Sequence, residues 1–137
     1  MFFKKKDNEV ENQDLIKVAA LLIHTAKIDE NYSHHEEEII KKTLLEMGAN
    51  NENIVKIIED AKEIETNSNQ ILDFTKQVKN MNYEDKIKII ESLWKIIYSN
   101  KEADIYESSL MRRLTGLLYI DSKTMGDIKN KIKNEYS

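Results

Sequence analysis

The stretch Val18-Ala19-Ala20-Leu21-Leu22-Ile23 is a run of apolar side chains without a charged or hydroxyl-bearing residue. It lies within a longer segment, about residues 9–28, in which apolar side chains recur at helical spacing. A helix that is apolar on every side must be surrounded by other elements. The run therefore predicts a central helix around which the rest of the chain packs.

Six further segments show helical spacing, so the sequence predicts about seven helices in all. Their predicted N-caps are polar residues that accept hydrogen bonds from backbone amides, namely Ser33, Asn50 or Asn51, Asn82, Asp104, and Asp121 or Ser122. Gly48 is the predicted stop of the second helix. No segment alternates as a strand would. We therefore predict an all-α, single-domain bundle over residues 9–137, preceded by a flexible N-terminal segment, residues 1–8.

The apolar residues of these segments are candidates for the core. The third segment carries Ile54 and Val55, the fourth carries Ile71 and Leu72, and Trp94 of the fifth is predicted to lie in the core.

Composition and charge exclude several classes of protein. The net charge of −4 and the pI of about 5.5 argue against a nucleic-acid partner, which needs a basic face. No apolar run approaches the roughly 20 residues that a membrane span requires. Cysteine is absent, which suits a reducing compartment, and we predict a cytoplasmic protein. Residues 1–6 combine two Phe with three Lys, so peripheral contact with an anionic membrane stays open beside a structural role.

An internal repeat appears when the chain is shifted along itself so that Leu22 meets Leu93. The same shift brings Ala26 onto Ile97. The polar positions follow, since Ser33 meets Asp104 and Glu36 meets Glu107. Each copy reads as an apolar helix, a polar turn, a capping box and an amphipathic helix. The sequence therefore predicts two pseudo-repeated helical hairpins, formed by the first and second helices and by the fifth and sixth.

The two turns carry a family resemblance. The first copy reads Ala26-Lys27-Ile28-Asp29-Glu30-Asn31-Tyr32-Ser33-His34-His35-Glu36, and the second reads Ser99-Asn100-Lys101-Glu102-Ala103-Asp104-Ile105-Tyr106-Glu107. This pattern resembles the tellurite-resistance TerB-like family, whose fold is similar to the N-terminal domain of the DjlA co-chaperone. The family pattern is approximately Ala-x-x-Asp-Gly-x-hydrophobic-Asp-x-x-Glu. The chain departs from it at Asn100 and Ser33, each of which replaces an Asp.

The resemblance implies an acidic surface that binds divalent metal, and the residues of the turns suit that chemistry. Oxygen donors favour calcium, magnesium or manganese over copper or zinc. Helix capping and the helix dipole explain the same spacing without metal, so both interpretations stay open. The candidate ligands are Asp29, Asn31, Ser33, Glu36 and Glu37 in the first copy, and Asn100, Glu102, Asp104 and Glu107 in the second.

The sequence contains no motif that indicates catalysis. We find no Gly-rich phosphate loop, no HExxH and no nucleophile–base signature. His34 and His35 are adjacent and point about 100° apart on a helix, so together they make a poor zinc site. We predict a non-enzymatic TerB-like module in a tellurite-resistance or stress-linked role. The alternative is a co-chaperone-like or membrane-edge adaptor. The protein partner and the oligomeric state are left open.

Overall fold

The computed structural model describes the backbone of residues 2–28, 34–68, 71–99 and 105–136, and the side chains of the same ranges from residue 12 onward, except residues 105–107. These residues form helices and no strand, as predicted. The helices are α1 (Phe2–Lys27), α2 (His34–Glu46), α3 (Ile54–Asn67), α4 (Leu72–Lys79), α5 (Tyr83–Tyr98), α6 (Ile105–Leu117) and α7 (Ser122–Glu135).

Two helices form the centre of the bundle. Helix α1 packs against α2, α3, α4 and α5, and residues 18–22 are fully buried. The prediction of a central first helix is therefore confirmed. Helix α5 packs against α1, α2 and α7 and is buried on several sides, because Ile89 and Ile96 are as inaccessible as Ile90 and Ile97. Trp94 is 3% exposed, so its predicted place in the core is also confirmed.

Side-chain caps set the starts of α5 and α7. The Asn82 Oδ1 atom accepts a hydrogen bond from the Asp85 amide at 2.8 Å. An Asp121 carboxylate oxygen accepts one from the Thr124 amide at 3.4 Å. Each satisfies an amide that the helix itself leaves without a partner. Both caps are among those predicted from the sequence.

Asn50 closes a turn that leads into α3 and does not border the helix directly. Its Oδ1 atom accepts hydrogen bonds from the amides of Glu52 and Asn53, both at 2.9 Å. The Asn53 side chain in turn accepts one from the Asn50 amide at 2.9 Å. This reciprocal arrangement resembles a capping box, and α3 begins after it, at Ile54.

Helices α2 and α6 end in the same motif. In α2, the amide of Gly48 donates to the carbonyl of Leu45, and the amide of Ala49 donates to that of Leu44. Gly48 has a φ of 121°, so the predicted glycine stop is confirmed. In α6, Tyr119 donates to Gly116, and Ile120 donates to Thr115. These are Schellman motifs, in which the residue after the C-cap takes a positive φ.

The helix boundaries follow the offset of the sequence repeat. The shift that aligns Leu22 with Leu93 also aligns the last residue of α1 with the last residue of α5, and both ends of α2 with both ends of α6. Helix α3 packs along α1, and α7 packs along α5. Burial follows the same register, because Leu22 and Leu93 are both buried, as are Ala26 and Ile97. Spatial superposition of the two hairpins stays a prediction.

Three details differ from the sequence analysis, namely the start of α1 and the exposure of Val55 and Leu72. Helix α1 begins at Phe2 rather than near residue 9, since no Pro or Gly interrupts that segment. Val55 and Leu72 are 58% and 44% exposed, because each lies beside the inward stripe of its helix rather than on it. None of the described helices has the length and apolar character needed to cross a membrane.

Candidate metal-binding turns

The two acidic turns connect α1 to α2 and α5 to α6. Most of their predicted ligands, namely Asp29, Asn31, Ser33, Asn100, Glu102 and Asp104, lie outside the described residues. Glu107 belongs to the first turn of α6, but its side chain also lies outside them. The capping roles predicted for Ser33 and Asp104 therefore stay predictions. Helices α2 and α6 do begin directly after these two residues.

Glu36 occupies the first turn of α2 and is 1% exposed. An ionised carboxylate is costly to bury unless hydrogen bonds, opposite charges or a cation compensate it. The N-terminus of a helix supplies part of that compensation through its dipole. Of the predicted ligands whose side chains are described, Glu36 is buried and Glu37 is partly exposed. Glu36 is an oxygen donor held against the protein interior beside an acidic turn.

Glu37 and Glu38 point elsewhere, since successive residues of a helix are about 100° apart. Glu37 forms an ion pair with Lys62 of α3, whose ammonium lies 3.2 Å from its carboxylate. Glu38 lies 3.4 Å from His34 on the outer surface of α2. A cation that recruited Glu37 would have to compete with Lys62. The three adjacent carboxylates are thus divided between the interior, α3 and solvent.

A second acidic residue, Glu65 of α3, is buried close to the same end of α1. It is 8% exposed and accepts a hydrogen bond from the Lys27 ammonium at 2.6 Å. Its other oxygen lies 3.2 Å from the Nδ1 atom of His24. Glu65 follows Ala61 by four residues, so helical spacing alone would have placed it on the buried face. Sequence reasoning missed it because its charge suggested an exposed position.

The three histidines differ in their surroundings. His34 is 84% exposed and His35 is also exposed. His24 is partly covered by Glu65 and by the Phe74 ring, whose centroid lies 6.2 Å from its own. Among the side chains that the structure describes, no three His, Asp or Glu converge as ligands of a metal.

These features define an all-helical domain built on two buried helices, with a buried carboxylate beside an acidic turn. A family model described as tellurite resistance protein TerB matches residues 15–130. The match covers most of the chain, which therefore belongs to the TerB family, as its turns indicated. Comparisons with curated proteins and with solved structures found no match.

Proposed function

We propose that this chain is a non-enzymatic TerB-type module that binds a divalent cation at its acidic inter-helix turns. Membership of the TerB family supports the type of module. The observation that supports cation binding is the burial of Glu36 in the first turn of α2. Asp29, Asn31 and Ser33 precede it within seven residues of the sequence. Calcium, magnesium and manganese suit this set of oxygen donors.

Each turn has replaced one carboxylate of the family pattern, so each site is expected to be weak. Calcium sites in proteins extend to millimolar dissociation constants, and we place these turns near that end. The module would act in the cytoplasm in a tellurite-resistance or stress-linked role, with a protein rather than a nucleic acid as partner. Its net charge of −4 supports that choice.

A melting curve recorded with each cation tests the proposal. A ligand that binds only the folded state stabilises it by about 0.4 kcal/mol at a concentration equal to Kd, and by about 1.4 kcal/mol at ten times Kd. We expect the melting temperature to rise progressively as calcium, magnesium or manganese is raised from below to about ten times a millimolar Kd. Glu36→Gln should reduce the rise, because it removes a ligand charge while keeping the side-chain shape.

Glu38→Gln is the matched control for Glu36→Gln. It removes the same charge from the same helix at a position where the side chain is 58% exposed. Glu38→Gln should leave the rise in melting temperature unchanged. Glu107→Gln tests the second turn as Glu36→Gln tests the first, and it should reduce the rise. If the melting temperature of wild type is the same with and without each of the three cations, the turns do not bind them and serve only as helix caps and as exposed surface.

A second candidate function is a membrane-edge adaptor. It is favoured by the extension of α1 to Phe2, which places Phe2, Phe3 and residues 4–6 on one continuous helix. Deletion of residues 2–6 should then abolish sedimentation with phosphatidylserine vesicles and leave the melting temperature nearly unchanged. If the intact chain does not sediment with those vesicles, this candidate is excluded.

A further inference from the structure

A groove of about 400 Å³ lies between α4 and the end of α6. Its α4 wall consists of Leu72, Asp73, Thr75, Lys76 and Lys79. Leu72, Lys76 and Lys79 share one helical face because they are spaced by four and three residues. Its α6 wall consists of Gly116, Leu117 and Tyr119. Leu72 is 44% exposed and Tyr119 is 72% exposed, so the groove presents two large, accessible side chains.

Tyr119 adopts a conformation that a tyrosine rarely takes. Its φ of 56° lies in the left-handed region, which disfavours side chains other than glycine. The position after a helix C-cap is usually glycine, and α2 has Gly48 there. Little of the ring is buried in return, although Lys79 lies 5.1 Å from its centroid. The fold alone would therefore be served better by glycine at position 119.

Gly116 is the opposite case, a glycine at a position whose helical backbone favours a residue with a side chain. It lies within α6, where glycine is less favourable than alanine. A Cβ atom added there would meet no atom within 4 Å, so the packing of this chain does not require glycine. The missing side chain leaves the helix backbone open to close approach from the groove. Two neighbouring positions therefore carry residues that cost stability, and both line the same groove.

The charges around the groove identify the kind of partner. Lys76 and Lys79 line it, and the exposed Arg112 and Arg113 lie one helical turn before its α6 wall. The carboxylate of Asp73 is hydrogen-bonded by the Ser68 hydroxyl. This basic patch stands out in a chain whose net charge is −4. Positive charge beside accessible apolar groups is complementary to an acidic segment with apolar anchors.

We propose that the α4–α6 groove docks an acidic amphipathic segment of a partner protein, with its apolar side chains between Leu72 and Tyr119. A concave groove with a bare glycine on its wall suits a peptide backbone better than the surface of a membrane. The proposal is independent of cation binding at the turns, since no groove residue belongs to them.

Selection from a display library of random peptides, each several helical turns long, tests this proposal. We expect the selected peptides to combine Asp and Glu with Leu, Ile or Phe spaced by three or four residues. Their affinity for the purified chain is measured by fluorescence anisotropy. Gly116→Ala and Tyr119→Gly should each weaken binding by at least about tenfold, as expected for positions central to an interface. Lys76→Glu should weaken it through charge repulsion, more strongly at low salt.

Gly126→Ala is the matched control for Gly116→Ala. Gly126 lies within α7, and a Cβ atom there also meets nothing within 4 Å, but the residue does not line the groove. Gly126→Ala should therefore leave peptide affinity unchanged. Gly116→Ala and Tyr119→Gly should both raise the midpoint of chemical denaturation while they weaken binding, which separates lost contacts from lost folding.

Three results would overturn the proposal. One is a set of selected peptides without an acidic bias. The second is equal affinity of wild type, Gly116→Ala and Tyr119→Gly for the selected peptides. The third is binding of phosphatidylserine vesicles through Lys76 and Lys79 when no peptide is enriched, which would assign the basic patch to a membrane surface.

Discussion

The ends of α2 and α6 share their hydrogen-bonding pattern but not their chemistry. Both helices close with a Schellman motif, and the positive φ falls on Gly48 in α2 and on Tyr119 in α6. Glycine takes that conformation at little cost, whereas an L-residue with a side chain is strained in it. The first hairpin thus has, at the end of α2, the residue that costs the fold least stability. The second ends in a strained, exposed aromatic residue beside a groove.

The difference indicates that the two helix ends, at Gly48 and Tyr119, are under different constraints. In the first hairpin, the buried carboxylate of Glu36 lies beside an acidic turn. In the second, Tyr119 lies at the other end of the helix and faces Lys79 across the groove. Residues at functional sites often lower stability, because selection there acts on binding. Substitutions at matched positions are therefore expected to have opposite effects in the two hairpins.

The largest effect is expected at Gly48. Gly48→Ala should lower the free energy of unfolding by about 1–2 kcal/mol, because a Cβ atom is disfavoured at a φ of 121°. Urea denaturation followed by circular dichroism measures the change. Gly126→Ala, made within a helix, should shift the midpoint in the opposite direction. Equal behaviour of the two alanine variants would contradict the Schellman assignment.

The helix caps test the equivalence of the two turns. Ser33→Ala and Asp104→Ala should each cost about 0.5–2 kcal/mol without any metal, because each removes an acceptor for amides at a helix start. The measurement is the urea midpoint in the presence of a chelator. Similar losses would support the repeat, and unchanged midpoints in both variants would show that these residues do not cap α2 and α6.

Tyr119→Gly should have a smaller effect of opposite sign to that of Gly48→Ala. We expect a gain of about 0.5–1 kcal/mol, since glycine relieves the strained φ and little buried area is lost. The urea midpoint of Tyr119→Gly is compared with that of Tyr119→Ala, which keeps a Cβ atom and should not show the gain. A clear loss of stability in Tyr119→Gly would mean that the ring serves the fold.

The smallest effect is expected where α1 and α5 face each other. Asp14 and Asp85 occupy equivalent positions of the sequence repeat and line one small cleft, and burial raises the pKa of Asp14. A carboxyl with a raised pKa stabilises the fold at low pH and loses that contribution as the pH rises through its folded pKa. Asp14→Asn should therefore raise stability at pH 7. The gain, measured from urea midpoints across a pH series, should disappear below 3.8, the ordinary pKa of the group.

Much of the fold follows from local chemistry that the sequence displays. The apolar run at residues 18–23 indicated the central helix, and Asn82 and Gly48 marked helix ends through their hydrogen-bonding and backbone preferences. Glu65 was not identified, because its charge suggested an exposed position and its partners, Lys27 and His24, come from another helix. The α4–α6 groove was not identified either. It depends on packing between helices, and Tyr119 gives no sequence signal for a positive φ.

The metal ligands stay a prediction, unlike the helical fold. Spacing correctly placed Glu36 and Glu37 in the first turn of α2. Spacing could not show that Glu36 turns inward while Glu37 pairs with Lys62, because neighbouring helices decide both. Of the other candidates, Glu107 belongs to the first turn of α6, and the rest lie outside the described residues.

Manganese titration of the isotope-labelled protein, followed by NMR, tests the proposed cation sites most directly. Mn²⁺ broadens the signals of nuclei close to it, so broadening maps the bound ion without relying on stability. The amides at the starts of α2 and α6 should broaden first, with calcium competing and Glu36→Gln weakening the effect at α2. Broadening that is uniform, or that begins at exposed carboxylates such as Glu38, would contradict cation binding at the turns.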